Sequence, residues 1–252
     1  MTTSLDDIVL HLSGELRLAE IPDYPGAVNG LQLANGGSVN QIAVAVDACL
    51  PVIREAVLRQ ADLLIVHHGL FWSGAQPITG GWYEKLKLAM DHQLAIYSVH
   101  IPLDIHPQLG NNARLAAALG FENTAPFFPW KGIELGLRAS VNLGREALLA
   151  KVIDATGASA HLCPGGPEQV RSIGIITGGA GSEVAAMAAT GVDTFITGEG
   201  PHWSFTAAEE LGLNVIYGGH YATETFGVKA LAGHLESHFG LPWSFIDHPT
   251  GL

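Results

Sequence analysis

The sequence is poor in cysteine, in basic residues and in long apolar runs. Only two cysteines occur, Cys49 and Cys163, and neither sits in a CxxC pair. A disulfide framework is excluded. The two read as small buried apolar side chains in a reducing compartment, and the cytoplasm is the expected location. Lysine and arginine number 12 against 24 acidic residues, for a formal net charge of -12. Such a field repels a phosphate backbone, and no Lys/Arg cluster offsets it, so nucleic-acid binding is disfavoured. No stretch approaches the ~20 uninterrupted apolar residues of a membrane span. Met1 to Leu18 carries Asp6, Asp7, His11 and Glu15 and lacks a basic start, so it does not read as a signal peptide. There is no GxSxG elbow, and no cysteine is placed with a histidine for nucleophilic catalysis.

What the chain does have is apolar residues and histidine. Hydrophobic residues make up 48% of its 252 residues and charged residues 14%, enough apolar matter for a large core. So little charge leaves apolar surface for subunit contacts. An acidic chain with 12 histidines suits cations. Residues 4–19 read as an amphipathic helix with Ser4 as N-cap, and 20–40 as a Gly-, Pro- and Asn-rich loop. Residues 124–132, with three prolines or glycines, read as a boundary. From Gln41 onward short apolar strands alternate with helices, which predicts an α/β fold with mostly parallel pairing.

The chain also repeats itself. Ile42 to Trp72 aligns without gaps on Ile173 to Trp203, with identities at Ile42/Ile173, Asp62/Asp193, Ile65/Ile196, Gly69/Gly200 and Trp72/Trp203. Farther on, Ile96-Tyr97-Ser98-Val99-His100 matches Ile216-Tyr217-Gly218-Gly219-His220, each followed four residues later by a carboxylate, Asp104 or Glu224. A duplication places function at equivalent strand ends of two related halves.

The candidate residues lie at those ends. His67-His68 closes the apolar run Leu63 to Val66. Strand alternation sends adjacent side chains to opposite faces, so the pair serves two neighbouring ions unless the chain turns at Gly69. His220 and Glu224, four apart, suit Zn²⁺, Mn²⁺, Fe²⁺ or Co²⁺, although alone they fit a surface capping pair better. Asp104 lies on a proline-stiffened loop and reads either as a bridging carboxylate or as a turn-forming Asp. His100 reads as a ligand, an orienting donor or a proton relay, and His106 as exposed. Glu199 is a candidate general base, and His202 a candidate proton donor or substrate contact; a solvated loop accounts for both equally well. Gly178-Gly179-Ala180-Gly181 matches neither nucleotide-binding glycine pattern, and tight strand–helix packing explains it as well as phosphate binding.

Several motifs together resemble one family. They are Asn29-Gly30-Leu31-Gln32, Ala43-Val44-Ala45-Val46-Asp47 and His67-His68-Gly69-Leu70-Phe71-Trp72. Then come His100-Ile101-Pro102-Leu103-Asp104 with Gly110-Asn111-Asn112, Gly198-Glu199 with His202, and Gly219-His220-Tyr221-x-Thr223-Glu224. The chain resembles the NIF-three-like proteins, also known as dinuclear-metal-centre hexameric proteins and as GTP cyclohydrolase I type 2 homologues. The resemblance implies two similar, intertwined three-layer α/β/α domains, here residues 1–125 with 221–252 and residues 126–220, with the metal site in the cleft between them. It implies a homohexamer, and two divalent ions per subunit (Zn, Mn, Fe or Co) held by His67, His68, Asp104, His220 and Glu224. On that basis the expected activity is metal-dependent hydrolysis of a small, nucleotide-like substrate, with Glu199, His202 and His100 as catalytic candidates. The competing readings are a non-catalytic metal-binding or metal-delivery protein and a scaffold.

Overall fold

The computed structural model describes residues 2–252. They form two compact α/β units. The first comprises Met1–Leu103 and Gly227–His248, the second Asp104–Phe226 and Pro249–Leu252. These divisions fall at 103/104 and 226/227 rather than at 125/126 and 220/221. The first division moves because the helix Asn111–Ala118 packs its Leu115 and Ala116 with Leu119 into the core of the second unit, and the second because Phe226 packs against the same core.

In the first unit, the helix Leu5–Glu15 starts as expected. Ser4 Oγ accepts from Asp7 N, Asp6 and Asp7 complement the helix dipole, and Leu5, Ile8 and Leu12 are buried. A five-stranded sheet follows, in the order Trp243–Phe245, Ile42–Asp47, Leu63–His68, Ala95–Ser98, Gly30–Leu33. The first four strands pair in parallel and Gly30–Leu33 joins antiparallel. The 20–40 stretch is therefore not all loop. The side chains of Ile42 to Val46 and Leu63 to His67 are all buried, which explains their unbroken apolar runs.

The second unit carries a six-stranded sheet in the order Thr124–Trp130, Ile133–Gly144, Gln169–Ile175, Thr194–Thr197, Asn214–Tyr217, His161–Pro164. The stretch read as a boundary is an edge strand. Pro126 and Pro129 are exposed on it, where a missing N–H is tolerated. Lys131 (φ 46°) and Gly132 (φ 87°) make the two-residue turn that returns the chain into Ile133–Gly144.

The duplication extends to atomic detail. Ile42 pairs with Leu63 in the first sheet, and Ile173 with Thr194 in the second, the same register 131 positions on. Asp62 Oδ2 accepts from the backbone N–H of Asn40 and Gln41, and Asp193 Oδ2 accepts from Arg171 and Ser172. The later sequence match is out by one residue. Val66 pairs with Ser98 and Thr197 with Tyr217, so Ser98 corresponds to Tyr217 rather than to Gly218. His100 and His220 are not equivalent positions.

Each aspartate satisfies two backbone donors at the mouth of a strand. Asp62→Ala and Asp193→Ala should each lower stability by about 1–3 kcal/mol. Urea denaturation checks this. A loss below about 0.5 kcal/mol in either variant would contradict the equivalence.

Candidate metal centre

In the first unit, His67 and His68 end the strand Leu63–His68. His67 is fully buried, and its Nδ1 donates to Val99 O at 2.9 Å. A carbonyl oxygen can only accept, so the proton is on Nδ1 and Nε2 carries the lone pair. His68 Nδ1 lies 2.9 Å from Asp47 Oδ1, on the residue paired with it across the sheet. His100 Nδ1 lies 2.8 Å from Asp23 Oδ1. Carboxylates accept from both rings and fix the same tautomer, the arrangement that orients metal-binding imidazoles. Ring centroids are 4.8 Å apart for His67 and His68 and 4.9 Å for His67 and His100. One ligand nitrogen from each of the three lies within 4.8 Å of the other two.

The flanking motifs hold this cluster. Asn29 Oδ1 accepts from His100 N, and Asp23 Oδ2 accepts from Ile101 N and Asn29 Nδ2. Burial pushes the Asp23 carboxyl up, but the His100 hydrogen bond and charge outweigh it and hold the group below its ordinary value. Gln32 Oε1 accepts from Leu70 N. A side chain at Gly69 would collide with the Gln32 amide and the Ser98 hydroxyl. Trp72 sets its edge against His100, centroids 4.7 Å apart.

In the second unit, Asp104 is 7% exposed and accepts from Asn111 Nδ2 at 2.8 Å and from Thr177 Oγ1. His220 opens the helix His220–Phe239 and Glu224 sits one turn on. His220 Nδ1 lies 2.8 Å from Glu199 Oε1, and Nε2 lies 3.1 Å from Glu224 Oε2. Burial alone would lower the His220 pKa, but the hydrogen bonds and charges of Glu224 and Glu199 raise it to about 9. Glu224 is buried, and a side chain at Gly178 (φ 70°) would overlap its carboxylate. That fit, rather than phosphate binding, accounts for the first glycine of the run. His202 is exposed at the start of the helix His202–Leu211. With Glu199, His161, Phe205 and Tyr217 it lines a cavity of about 710 Å³. His106, expected to be exposed, is 9% exposed, and its Nδ1 accepts from Leu109 N.

The donor set fits divalent transition metals, since imidazole nitrogens with oriented tautomers stand beside buried carboxylates. The sequence had flagged the rings and Glu199, but not the other oxygens behind them. Asp47 lay within a quoted motif without a role, and Asp23 gave no signal in a loop of ordinary turn composition.

The profile of the Duf34/NIF3 (NGG1p interacting factor 3) family matches residues 4–250. The chain belongs to the DUF34/NIF3 family. This DUF34/NIF3 protein is 40% identical over 249 residues to a GTP cyclohydrolase 1 type 2 homolog of Deinococcus radiodurans, covering 98% of this chain and 94% of that one. It is 39% identical over 250 residues to the protein so named in Pyrococcus horikoshii, covering 98% and 99%. The crystal structure of TTHA1606 from Thermus thermophilus matches with TM-score 0.89 and 39% identity, covering 99% of this chain and 100% of that one. Among the described residues, no helix is long and apolar enough to cross a membrane.

His220 carries a testable pH signature. Its folded pKa is raised above the ordinary 6.5, so its pairing stabilises fully below about pH 6.5 and is lost as pH rises through about 9. In chelator-treated protein, the stability gap between the parent and His220→Gln should narrow across that window. A gap that widens there would refute the assignment.

Proposed function

We propose that the chain is a hydrolase dependent on two divalent transition-metal ions bound through His67, His68, Asp104, His220 and Glu224, acting on a small, nucleotide-like substrate. The observation that carries this reading is the tautomer pattern. His67, His68 and His100 all direct Nδ1 to an oxygen that can only accept, so each neutral ring presents Nε2 as its ligand atom, while His220 faces a carboxylate on both nitrogens and must give up a proton to bind an ion. Ions held there would supply a water of lowered pKa and a Lewis acid for a substrate oxygen or ring carbon.

The chain's own residues supply the rest. Asp47, Asp23 and Glu199 hold the rings in orientation. Asn111 and Thr177 hold Asp104. The cavity beside Glu199 offers an apolar, aromatic wall of Phe205 and His161, centroids 5.5 Å apart, and a polar rim of Glu199, His202 and Tyr217. A small heterocycle stacks on such a wall. Glu199 and His202 are then the groups beside the substrate, and His100 the ring that backs His67. The relatives' name, GTP cyclohydrolase 1 type 2 homolog, makes purine-ring opening the first reaction to assay. A homohexamer in the cytoplasm belongs to this proposal, checked by light scattering for a mass six times 26.5 kDa.

In protein purified without added metal or a His-tag, the strand-end centre should carry about two divalent ions per chain, and His67→Ala/His68→Ala should lose at least one. Asp47→Asn keeps the ligands and should weaken metal binding by about 10–100-fold. Full turnover in His68→Ala or Glu224→Ala would refute hydrolysis at this centre. Unaltered metal content in the double variant would refute the ligand set. Bound metal with no turnover of nucleotides or esters would favour a metal-delivery role.

A further inference from the structure

A second group of histidines lies in the first unit, on helices rather than at strand ends. His11 and Glu15 are four residues apart on Leu5–Glu15, and His234 and His238 are four apart on His220–Phe239, so each pair shares one face of its helix. The two faces meet. His11 Nε2 lies 2.8 Å from His234 Nε2. His238 stacks on His11 with centroids 4.1 Å apart, and the planes of the three rings lie within 12°, 23° and 17° of one another. Phe239 closes one side, its ring edge-on to His11 and His238. His11, Glu15 and His234 are half-buried, while His238 is exposed and leaves an entry from solvent.

We propose that His11, His234 and His238, with Glu15 beside them, form a second transition-metal site that staples the N-terminal helix of the first unit to its C-terminal segment. The contact between two Nε2 atoms is the main argument. Each nitrogen can donate only if protonated, so a 2.8 Å N···N contact requires one of them to present a bare lone pair. An ion in place of the shared proton accepts from both. Tetrahedral ligands at ~2.0–2.1 Å stand about 3.3 Å apart, so the rings need separate by only about half an ångström. His238, exposed on the last turn of its helix, is stacked on His11 and does not converge with the other two nitrogens as it stands; it would supply the third only once its ring leaves that stack. An imidazole-rich set selects Zn²⁺, Ni²⁺, Co²⁺ or Cu²⁺ over Mg²⁺ and Ca²⁺, which prefer oxygen.

The staple has a purpose in this topology. The first unit is assembled from Met1–Leu103 and Gly227–His248, and the site joins one piece to the other. Metal bound only to the folded form stabilises it by mass action.

The test uses full-length, untagged, chelator-treated protein titrated with Zn²⁺ by calorimetry, in the parent, in His234→Ala/His238→Ala and in His67→Ala/His68→Ala. The helix variant should lose one Zn²⁺ equivalent, or bind it more than about tenfold more weakly, and keep the parent's turnover. The strand-end variant should keep that equivalent. In the strand-end variant, Cu²⁺ should show nitrogen hyperfine splitting from imidazole, weakened by adding His238→Ala, whose exposed position guards against misfolding. Zn²⁺ should raise the Tm of the strand-end variant and lose that effect with His238→Ala. Equal Zn²⁺ stoichiometry and affinity in the parent and the helix variant would overturn the proposal. A loss in the strand-end variant alone would support the proposed hydrolase centre and refute this one, and a loss in the helix variant alone would do the reverse.

Discussion

The proposed metal chemistry of this chain rests on where one proton sits on each of three imidazoles, His67, His68 and His100. Val99, Asp47 and Asp23 each set an oxygen against Nδ1 at 2.8–2.9 Å. Oxygen acceptors there determine which nitrogen is left to coordinate, and they cost little because backbone and turn hydrogen bonds already fix them. Asp47 is held by sheet register opposite His68, and Asp23 also accepts from the backbone of Ile101. The fold sets the oxygens, the oxygens set the tautomers, and the tautomers set the donor atoms.

The two units share a mould more than they share chemistry. Their parallel strands keep one register and their aspartates, Asp62 and Asp193, satisfy the same pair of backbone donors. At the strand ends they diverge. Where the first unit has His67 and His68, the second has Gly198 and Glu199. A side chain at Gly198 would meet the backbone of His220 and Gly178. That side of the second sheet is closely packed, and its imidazole comes instead from the following helix.

Much of this was legible in the sequence. Buried parallel strands have apolar runs with no alternation, and the gapless repeat carried the register of the first two strands. The rest failed for physical reasons. A strand at a sheet edge accepts Pro126 and Pro129, so turn-forming composition hid it. Trp243–Phe245 is too short to show a period. The match of His100 to His220 rested on identities that strand pairing overrides by one residue. His106 looked solvated because a loop histidine that satisfies nearby backbone N–H groups has no local signature. Asp23 and Asp47 act through hydrogen bonds to residues 77 and 21 positions away, which no window along the chain can show.

The order of the strands has a consequence for synthesis. Ile42–Asp47 is flanked on one side by Trp243–Phe245, so its outer edge stays bare until the ribosome has made that distant strand. At ~5–20 residues per second the delay runs to tens of seconds. Meanwhile Asp104–Phe226, the greater part of the second unit, has already been made. An apolar parallel strand with an open edge invites pairing with another nascent chain, so the growing polypeptide has a built-in interval of vulnerability that chaperones would have to cover.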